Sequence, residues 1–385
     1  VQHFGPTHPE SLRVRMNLSS VLHSRGALAE ARDELESVLE TSIATLGADH
    51  LDTLGVKNTL AQTLIDLGQI EEARALAQDV YDGRARSLGE NHPSTIQSLS
   101  TLGNVIEAGG DIAGGYKAQQ EAYRRSLDTY GPHHILTVNV KGNLASITSA
   151  LGNLEESIRL HREIRADYER RLGDDHEDTL RILSNLGTVL MQAKRWAEAA
   201  EILGPAVERL ERVHGTDHPM TLSAKGNYSA ALREIGRVDE ARALAQYVTD
   251  TRVATLGPNH FDTLVSMLNL AEAESADGED QLALRTARTV YTGVIANYGE
   301  EHWVGPVVLG TVGRMTAKVG QKDEALEIYE QALEGLVRKF GEQHYRTQTV
   351  LERLLDLAGE MGRDDMLEKY APLREAIDPL AIRGE

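Results

Sequence analysis

One histidine recurs every 42 residues, at His8, His50, His92, His134, His176, His218, His260, His302 and His344. A glycine stands three residues before each, from Gly5 to Gly341, and a threonine three residues after most of them, as at Thr53, Thr137 and Thr347. A second glycine lies 18 residues past the histidine in every repeat but the fifth, where Lys194 stands instead. No insertion or deletion disturbs the nine copies. A period of this length makes each copy one supersecondary element that must stack on its neighbours to bury an apolar face.

The fifth repeat, "HEDTLRILSNLGTVLMQAKRWAEAAEILGPAVERLERVHG", shows what the element is. Leu180, Leu183, Leu186 and Leu190 fall on one helical stripe. After a turn near Lys194, Ala199, Ile202, Leu203, Val207 and Leu210 form a second. Start and stop signals predict a first helix of about 16 residues and a second of about 18. The glycine before the histidine suits a left-handed position ending the second helix. Asp49, Asn91, Asp175, Asp217 and Asn259 precede the histidine and are good N-cap types, while Pro9, Pro93 and Pro219 suit a first helical turn. The histidine itself is expected to bond across the turn between repeats. A small residue 23 positions after it (Ala31, Ala73, Ala199, Ala241, Ala283, Ala325) lets the two helices approach closely. The 4% aromatic content fits a core of Leu, Ala, Val and Ile. Glycine pairs at 109–110 and 114–115 predict a weak point, at about 1 kcal/mol per helix-interior glycine.

The balance of 40 basic and 59 acidic residues gives a net charge of −19, which argues against nucleic-acid or anionic-membrane partners. No cysteine is present, which excludes disulfides and thiolate chemistry and leaves the compartment open. No apolar run of about 18 residues occurs, and a cytoplasmic location is the expectation. The chain begins with Val1, and "HFG" at 3–5 matches the end of a helix, as "KFG" does at 339–341. It therefore reads as a segment of a longer protein, with a parent domain upstream. Residues 1–7 are expected to close a preceding helix and 378–385 to form a tail, around one array spanning 1–385.

The stretch "NLASITSALGNLEESIRLHREIRADYERRLGDDHEDTL", 143–180, resembles the tetratricopeptide repeat, and its 42-residue length resembles the kinesin-light-chain subtype. The resemblance covers residues 8 to about 377. It implies an all-α, right-handed α-solenoid of nine helix-turn-helix repeats. It also implies a non-catalytic scaffold that binds a peptide or extended protein segment in a concave groove. Two further readings are a sensor segment of a larger signalling protein, such as a Ser/Thr kinase or nucleotide-binding switch protein, and a structural spacer or homo-oligomerisation module. Three departures bear on local helix regularity: Gly114-Gly115 in repeat 3, Gly305-Pro306 in repeat 8, and Arg353 in place of the usual Asn in repeat 9.

Chemistry-bearing clusters read as structure. Neighbouring histidines of the column lie roughly 10 Å apart, given helix packing distances of about 8–10 Å. Ligands must reach within about 2 Å of one ion, so the column cannot share a metal. His133 and the metal-like "DDHED" at 174–178 occupy the same loops. Trp196 and Trp303 stand at turns, where packing is the expected role. No Walker A loop, H-E-x-x-H helix, EF-hand or G-x-S-x-G elbow occurs. Neither enzyme activity nor a metal or cofactor is expected.

By resemblance, groove contacts come from the first helices, at 5, 8, 9 and 12 residues past the histidine. In repeats 2 to 6 these twenty positions carry one charge, Arg181, in a chain with 26% charged residues. The expected peptide-binding set is Asn58, Gln62, Gln97, Asn104, Asn139, Asn143, Arg181, Asn185, Asn227 and Asn269. Amides both donate and accept, which is what an extended backbone needs once water leaves. The alternative is that the Asn143, Asn185, Asn227 and Asn269 ladder bonds internally. Arg181 is the expected anchor for an acidic side chain or a C-terminal carboxylate.

Overall fold

A computed structural model describes residues 5, 8–300, 302–342 and 344–376. The tail at 378–385, and residues 1–7 apart from Gly5, lie outside them. Among the described residues there are eighteen α-helices and no strand. They pair as α1 (Pro9–Ser24) and α2 (Leu28–Leu46), α3 (Leu51–Asp66) and α4 (Ile70–Leu88), α5 (Pro93–Ala108) and α6 (Ile112–Tyr130), α7 (Ile135–Ala150) and α8 (Leu154–Leu172), and α9 (Glu177–Gln192) and α10 (Trp196–His214). The series continues with α11 (Pro219–Glu234) and α12 (Val238–Leu256), α13 (Phe261–Ala276) and α14 (Asp280–Tyr298), α15 (Val304–Lys318) and α16 (Lys322–Phe340), and α17 (Tyr345–Glu360) and α18 (Asp364–Ala376). This is the all-α, right-handed solenoid class expected from the repeat.

The chain forms two compact units, residues 1–151 with α1 to α7 and residues 152–385 with α8 to α18. Within each unit every helix packs on its successor. First helices of adjacent repeats also touch, α5 with α7 in the first unit and α9 with α11 and α11 with α13 in the second. Among the described residues no helix is long and apolar enough to cross a membrane.

The histidine column has a different job from the one expected. In eight repeats the histidine is itself the N-cap, with extended backbone (φ −71 to −63°, ψ 135 to 142°). Its Nδ1 accepts the backbone N–H two residues on, at 3.2–3.3 Å. The Asp or Asn before it is not the cap, and the bond runs into the histidine's own helix rather than across the turn. Neutral imidazole has one acceptor nitrogen, and here it satisfies one of the four orphan N–H groups that open a helix. In repeat 8 the Gly305-Pro306 departure has a consequence. The N-cap moves to Trp303 and α15 shortens to 15 residues, although His302 Nδ1 still faces the Val304 N–H at 3.4 Å.

The glycines before the histidines take positive φ, as expected, but with φ 81 to 96° and ψ 158 to 171° rather than the left-handed helical pair. That region is essentially closed to other residues, so the column cannot be anything but glycine. The mid-repeat glycines close a Schellman motif. In repeat 2 the Gly68 N–H donates to the Ile65 carbonyl at 2.9 Å and Gln69 N–H to Leu64 at 2.8 Å. Lys194 makes the same bonds, yet among the described residues it is the one non-glycine with positive φ, 57°. A side chain there costs about 1–2 kcal/mol, part of which glycine gives back in unfolded-state entropy. Lys194→Gly should therefore raise the stability of the second unit by about 0.5–1 kcal/mol in urea denaturation, and no gain would contradict the assignment.

Each alanine of the close-approach column (Ala31, Ala73, Ala199, Ala241, Ala283, Ala325) is completely buried. Gly115 occupies that column in α6, and α6 runs unbroken through both glycines. Trp303 packs edge-on to Phe340 at 6.1 Å and under the Arg346 guanidinium at 5.1 Å, so its role is packing.

Candidate functional site

The first helices carry the expected groove positions. In the first unit, Asn143 Nδ2 donates to Ser100 Oγ at 2.9 Å, which joins α7 to α5. Ser100 Oγ donates in turn to Gln119 Oε1 at 2.7 Å. The buried Gln119 amide then donates to the Ser100 carbonyl at 2.7 Å and to Asn104 Oδ1 at 2.5 Å. Asn143 and Asn104 are thus tied into one network, with Asn104 exposed and Asn143 half-buried. Gln62 and Gln97 are exposed, and Asn58 is half-buried; none of their side chains bonds a described residue. Asn139 is also exposed.

In the second unit, Asn227 Nδ2 donates to Thr188 Oγ1 at 3.3 Å, stitching α11 to α9. Asn185 and Asn269 are half-buried and have no hydrogen bond among the described residues. The amide ladder therefore has two kinds of rung. Asn143 and Asn227 staple repeat to repeat, while Asn185 and Asn269 keep donor and acceptor uncommitted, as does Asn58 one position off the ladder's register. A half-buried amide left without a protein partner costs stability unless water or a ligand satisfies it.

Arg181 is not the free anchor its position implied. Its Nη2 donates to Asp178 Oδ1 at 2.7 Å in the first turn of the same helix. The neighbouring acids are engaged too: Asp175 pairs with Arg212 at 3.1 Å and Asp174 with Arg209 at 3.5 Å. The "DDHED" stretch is an arginine-neutralised turn, and His176 Nδ1 is committed to the Asp178 N–H. Among the described residues no group of three potential ligands is poised to hold a metal. His133 lies exposed in its turn.

The same register in repeats 7 to 9 gives Val265, Leu268, Asn269 and Glu272, then Val307, Gly310, Thr311 and Arg314, then Thr349, Glu352, Arg353 and Asp356. Five of these twelve are charged, against one of twenty in repeats 2 to 6. Here α11, α13, α15 and α17 enclose a cavity of about 350 Å³ lined by Arg233, Leu268, Asn269, Glu272, Arg314 and Arg353, among others. Glu272 Oε2 pairs closely with Arg314 and stands 3.7 Å from Arg233. Arg233 also pairs with Glu234 at 2.8 Å. Reading the groove register only through repeat 6 missed this cluster, although Arg353 stood out as a departure.

A sequence profile for the tetratricopeptide repeat matches residues 10–86, 52–114, 137–193 and 178–252, and a second profile of the same description matches 308–346. No curated protein matches in sequence. Among solved structures, the nearly identical TPR-like repeats of a Podosopora anserina putative kinesin light chain are 23% identical over 54% of this chain and 98% of that one, with a TM-score of 0.45. A Rap protein complexed with Competence and Sporulation Factor is 10% identical over 92% of this chain and 99% of that one, with a TM-score of 0.52. A signal transduction ATPase with a tetratricopeptide repeat sensor from Pyrococcus horikoshii is 10% identical over 86% of this chain and 48% of that one, with a TM-score of 0.52. At these identities the likeness is one of fold.

Proposed function

From the premise that this chain belongs to the tetratricopeptide repeat family, we propose that it is a non-catalytic scaffold whose first-helix faces hold an extended peptide or protein segment. The observation that carries the reading is the set of uncommitted, half-buried amides, Asn58 in the first unit and Asn185 and Asn269 in the second. Each offers a donor and an acceptor, with Asn185 and Asn269 two repeats apart in register, matched to a peptide backbone rather than to a particular side chain. The Rap protein of the same fold is complexed with Competence and Sporulation Factor, so the fold accommodates a bound factor. The net charge of −19 supports a protein partner over a nucleic acid. The 42-residue repeat, with its 19-residue second helices, supports the kinesin-light-chain subtype.

The test starts from the tightest dodecapeptide selected from a displayed random library, measured by calorimetry. Asn185→Ala with Asn269→Ala should weaken its binding by about 1–3 kcal/mol, at 0.5–1.5 kcal/mol per amide, with the helical spectrum unchanged. Unchanged affinity would remove the groove reading. Asn143→Ala and Asn227→Ala should act differently. Each cuts a bond between repeats and should lower stability by about 0.5–1.5 kcal/mol in denaturation.

A further inference from the structure

The first helix exposes an apolar face that the other repeats bury. Val14, Leu18 and Val21 on α1 are 56%, 51% and 47% exposed. They stand 6, 10 and 13 residues past the histidine. In the eight other repeats those positions are buried, apart from the half-buried Tyr228. Stacking buries them: Val56 and Leu60 of repeat 2 share one cluster with Leu35 and Val38 of the repeat before. Glu10 and Arg25 extend the same face of α1 at its two ends, and both are exposed. Glu10 pairs with Arg13. The Arg25 guanidinium has no partner among the described residues.

This stripe is complementary to itself. Turn a second α1 antiparallel about a two-fold axis between Asn17 and Leu18. Val14 then lies opposite Val21, the two Leu18 side chains meet beside the axis, and Glu10 lies opposite Arg25, each pair occurring twice. Arg25 also argues against one more stacked repeat as the cover. Its position, 17 residues past the histidine, is apolar in six of the other eight repeats, as at Leu67, Ile235 and Met361. A guanidinium there suits a facing carboxylate instead. Head-to-tail stacking fits no better. On α18, Glu368 is exposed with Asp364 and Asp365, where repeats 7 and 8 bury Leu284 and Leu326 in the Glu368 register. Pressing those carboxylates onto valines would desolvate them without a partner.

We propose that the exposed face of α1 takes a second copy of this chain, α1 packing antiparallel on α1 about a two-fold axis at Leu18. The three apolar side chains form the centre of the interface, and the Glu10–Arg25 pairs close its two ends and fix its register. The interface does not use Asn58, Asn185 or Asn269 and does not depend on their role. A helix of 16 residues is about 24 Å long. One face of that length buries less than the roughly 800 Å² per partner of a standard interface. The dimer is therefore weak and reversible, with a dissociation constant of about 1–100 μM.

Sedimentation equilibrium of the full chain, from about 1 to 200 μM, tests the pairing. The wild-type mass should rise from monomer toward dimer and stop there. L18E should weaken association more than about tenfold, because two carboxylates meet at the axis. R25E should weaken it about three- to tenfold by setting a second carboxylate opposite Glu10. E10R combined with R25E should restore it to within about threefold, since the same pair reforms with its signs exchanged. The chain has no cysteine, so single-cysteine variants give an independent readout. L18C should form a disulfide-linked dimer on mild oxidation, at least about tenfold faster than A44C, placed at an exposed site on α2. A monomer throughout the range would overturn the interface, as would undiminished association in L18E. Species growing past the dimer would overturn the two-fold arrangement. A wild-type monomer that L18E makes less heat-stable would place a segment of the same chain on the face instead. If L18E fails to fold, equal cross-linking of L18C and A44C overturns the pairing.

Discussion

Replacing Gly115 by alanine should destabilise the first unit by about 1–3 kcal/mol, against the direction helix propensity alone would give. Alanine is a better helix former than glycine by about 1 kcal/mol, so a helix-interior glycine normally reads as a place to gain stability. Gly115 is different because it stands where α6 meets α5. A Cβ there would lie 2.7 Å from the Gly103 carbonyl oxygen and 2.8 Å from Ile147 Cδ1. The carbonyl belongs to a helix backbone and cannot rotate away, so the helices must separate along a face where close packing holds the repeat together. Gly142 is the control. It is also helical, but a Cβ added to it meets nothing within 4 Å, and Gly142→Ala should stabilise by about 0.5–1 kcal/mol. Chemical denaturation of both variants measures the pair; equal and favourable shifts would sink the packing account.

The contrast shows what could be read from the residues and what could not. Helix pairing and length, the stop at Gly68 and its equivalents, and the buried alanine column all follow from periodicity. These features repeat, and repetition averages out local noise. Gly115 belongs to the alanine column by register, yet composition alone marks it as a defect. Only the approach of the Gly103 carbonyl reveals that the glycine is required. The histidine caps were hidden for a related reason. Histidine is an uncommon N-cap, so propensity points to the Asp or Asn one position earlier, and the Nδ1 bond becomes visible only once the extended backbone at the histidine is known.

The groove was legible at the level of helix faces and not at the level of bonds. Register placed Asn143, Asn185 and Asn227 in equivalent positions, and equivalence suggested a common role. Their neighbours differ, however. Ser100 and Thr188 offer hydroxyls to Asn143 and Asn227, while no hydroxyl of the second unit's described residues bonds Asn185. Arg181 shows the same gap: three residues earlier stands Asp178, and an i,i+3 pair of opposite charges closes on itself before any ligand arrives. The Arg353 cluster lay within reach of the same register, carried three repeats further.

Protonation of the His344 cap should make α17 acid-sensitive. Its Nδ1 accepts the Arg346 N–H at 3.2 Å, its ring stacks on Phe340 with centroids 4.5 Å apart, and burial, with the Arg346 charge second, lowers its pKa to about 4. The unfolded chain protonates this group near pH 6.5. A folded value below the unfolded one means that the contribution is complete above about pH 6.5 and is lost as pH falls toward about 4. Protonation both removes the acceptor from the cap and places a charge in a half-buried ring. The loss across that window should be about 2–3 kcal/mol. Other groups titrate there with the opposite sign: burial raises the Glu107 and Glu274 carboxyls, and their protonation on acidification favours the folded state. The total pH profile therefore cannot isolate the histidine, but a difference can. Asn is a strong N-cap that does not titrate. In His344→Asn, amide-exchange protection of α17 should change about 2–3 kcal/mol less between pH 7 and pH 4 than in the wild type. The lost stacking on Phe340 would offset both ends of the comparison equally and leave the slope as the readout. Parallel pH profiles for the two proteins would show that the cap nitrogen is not the group the acid reaches.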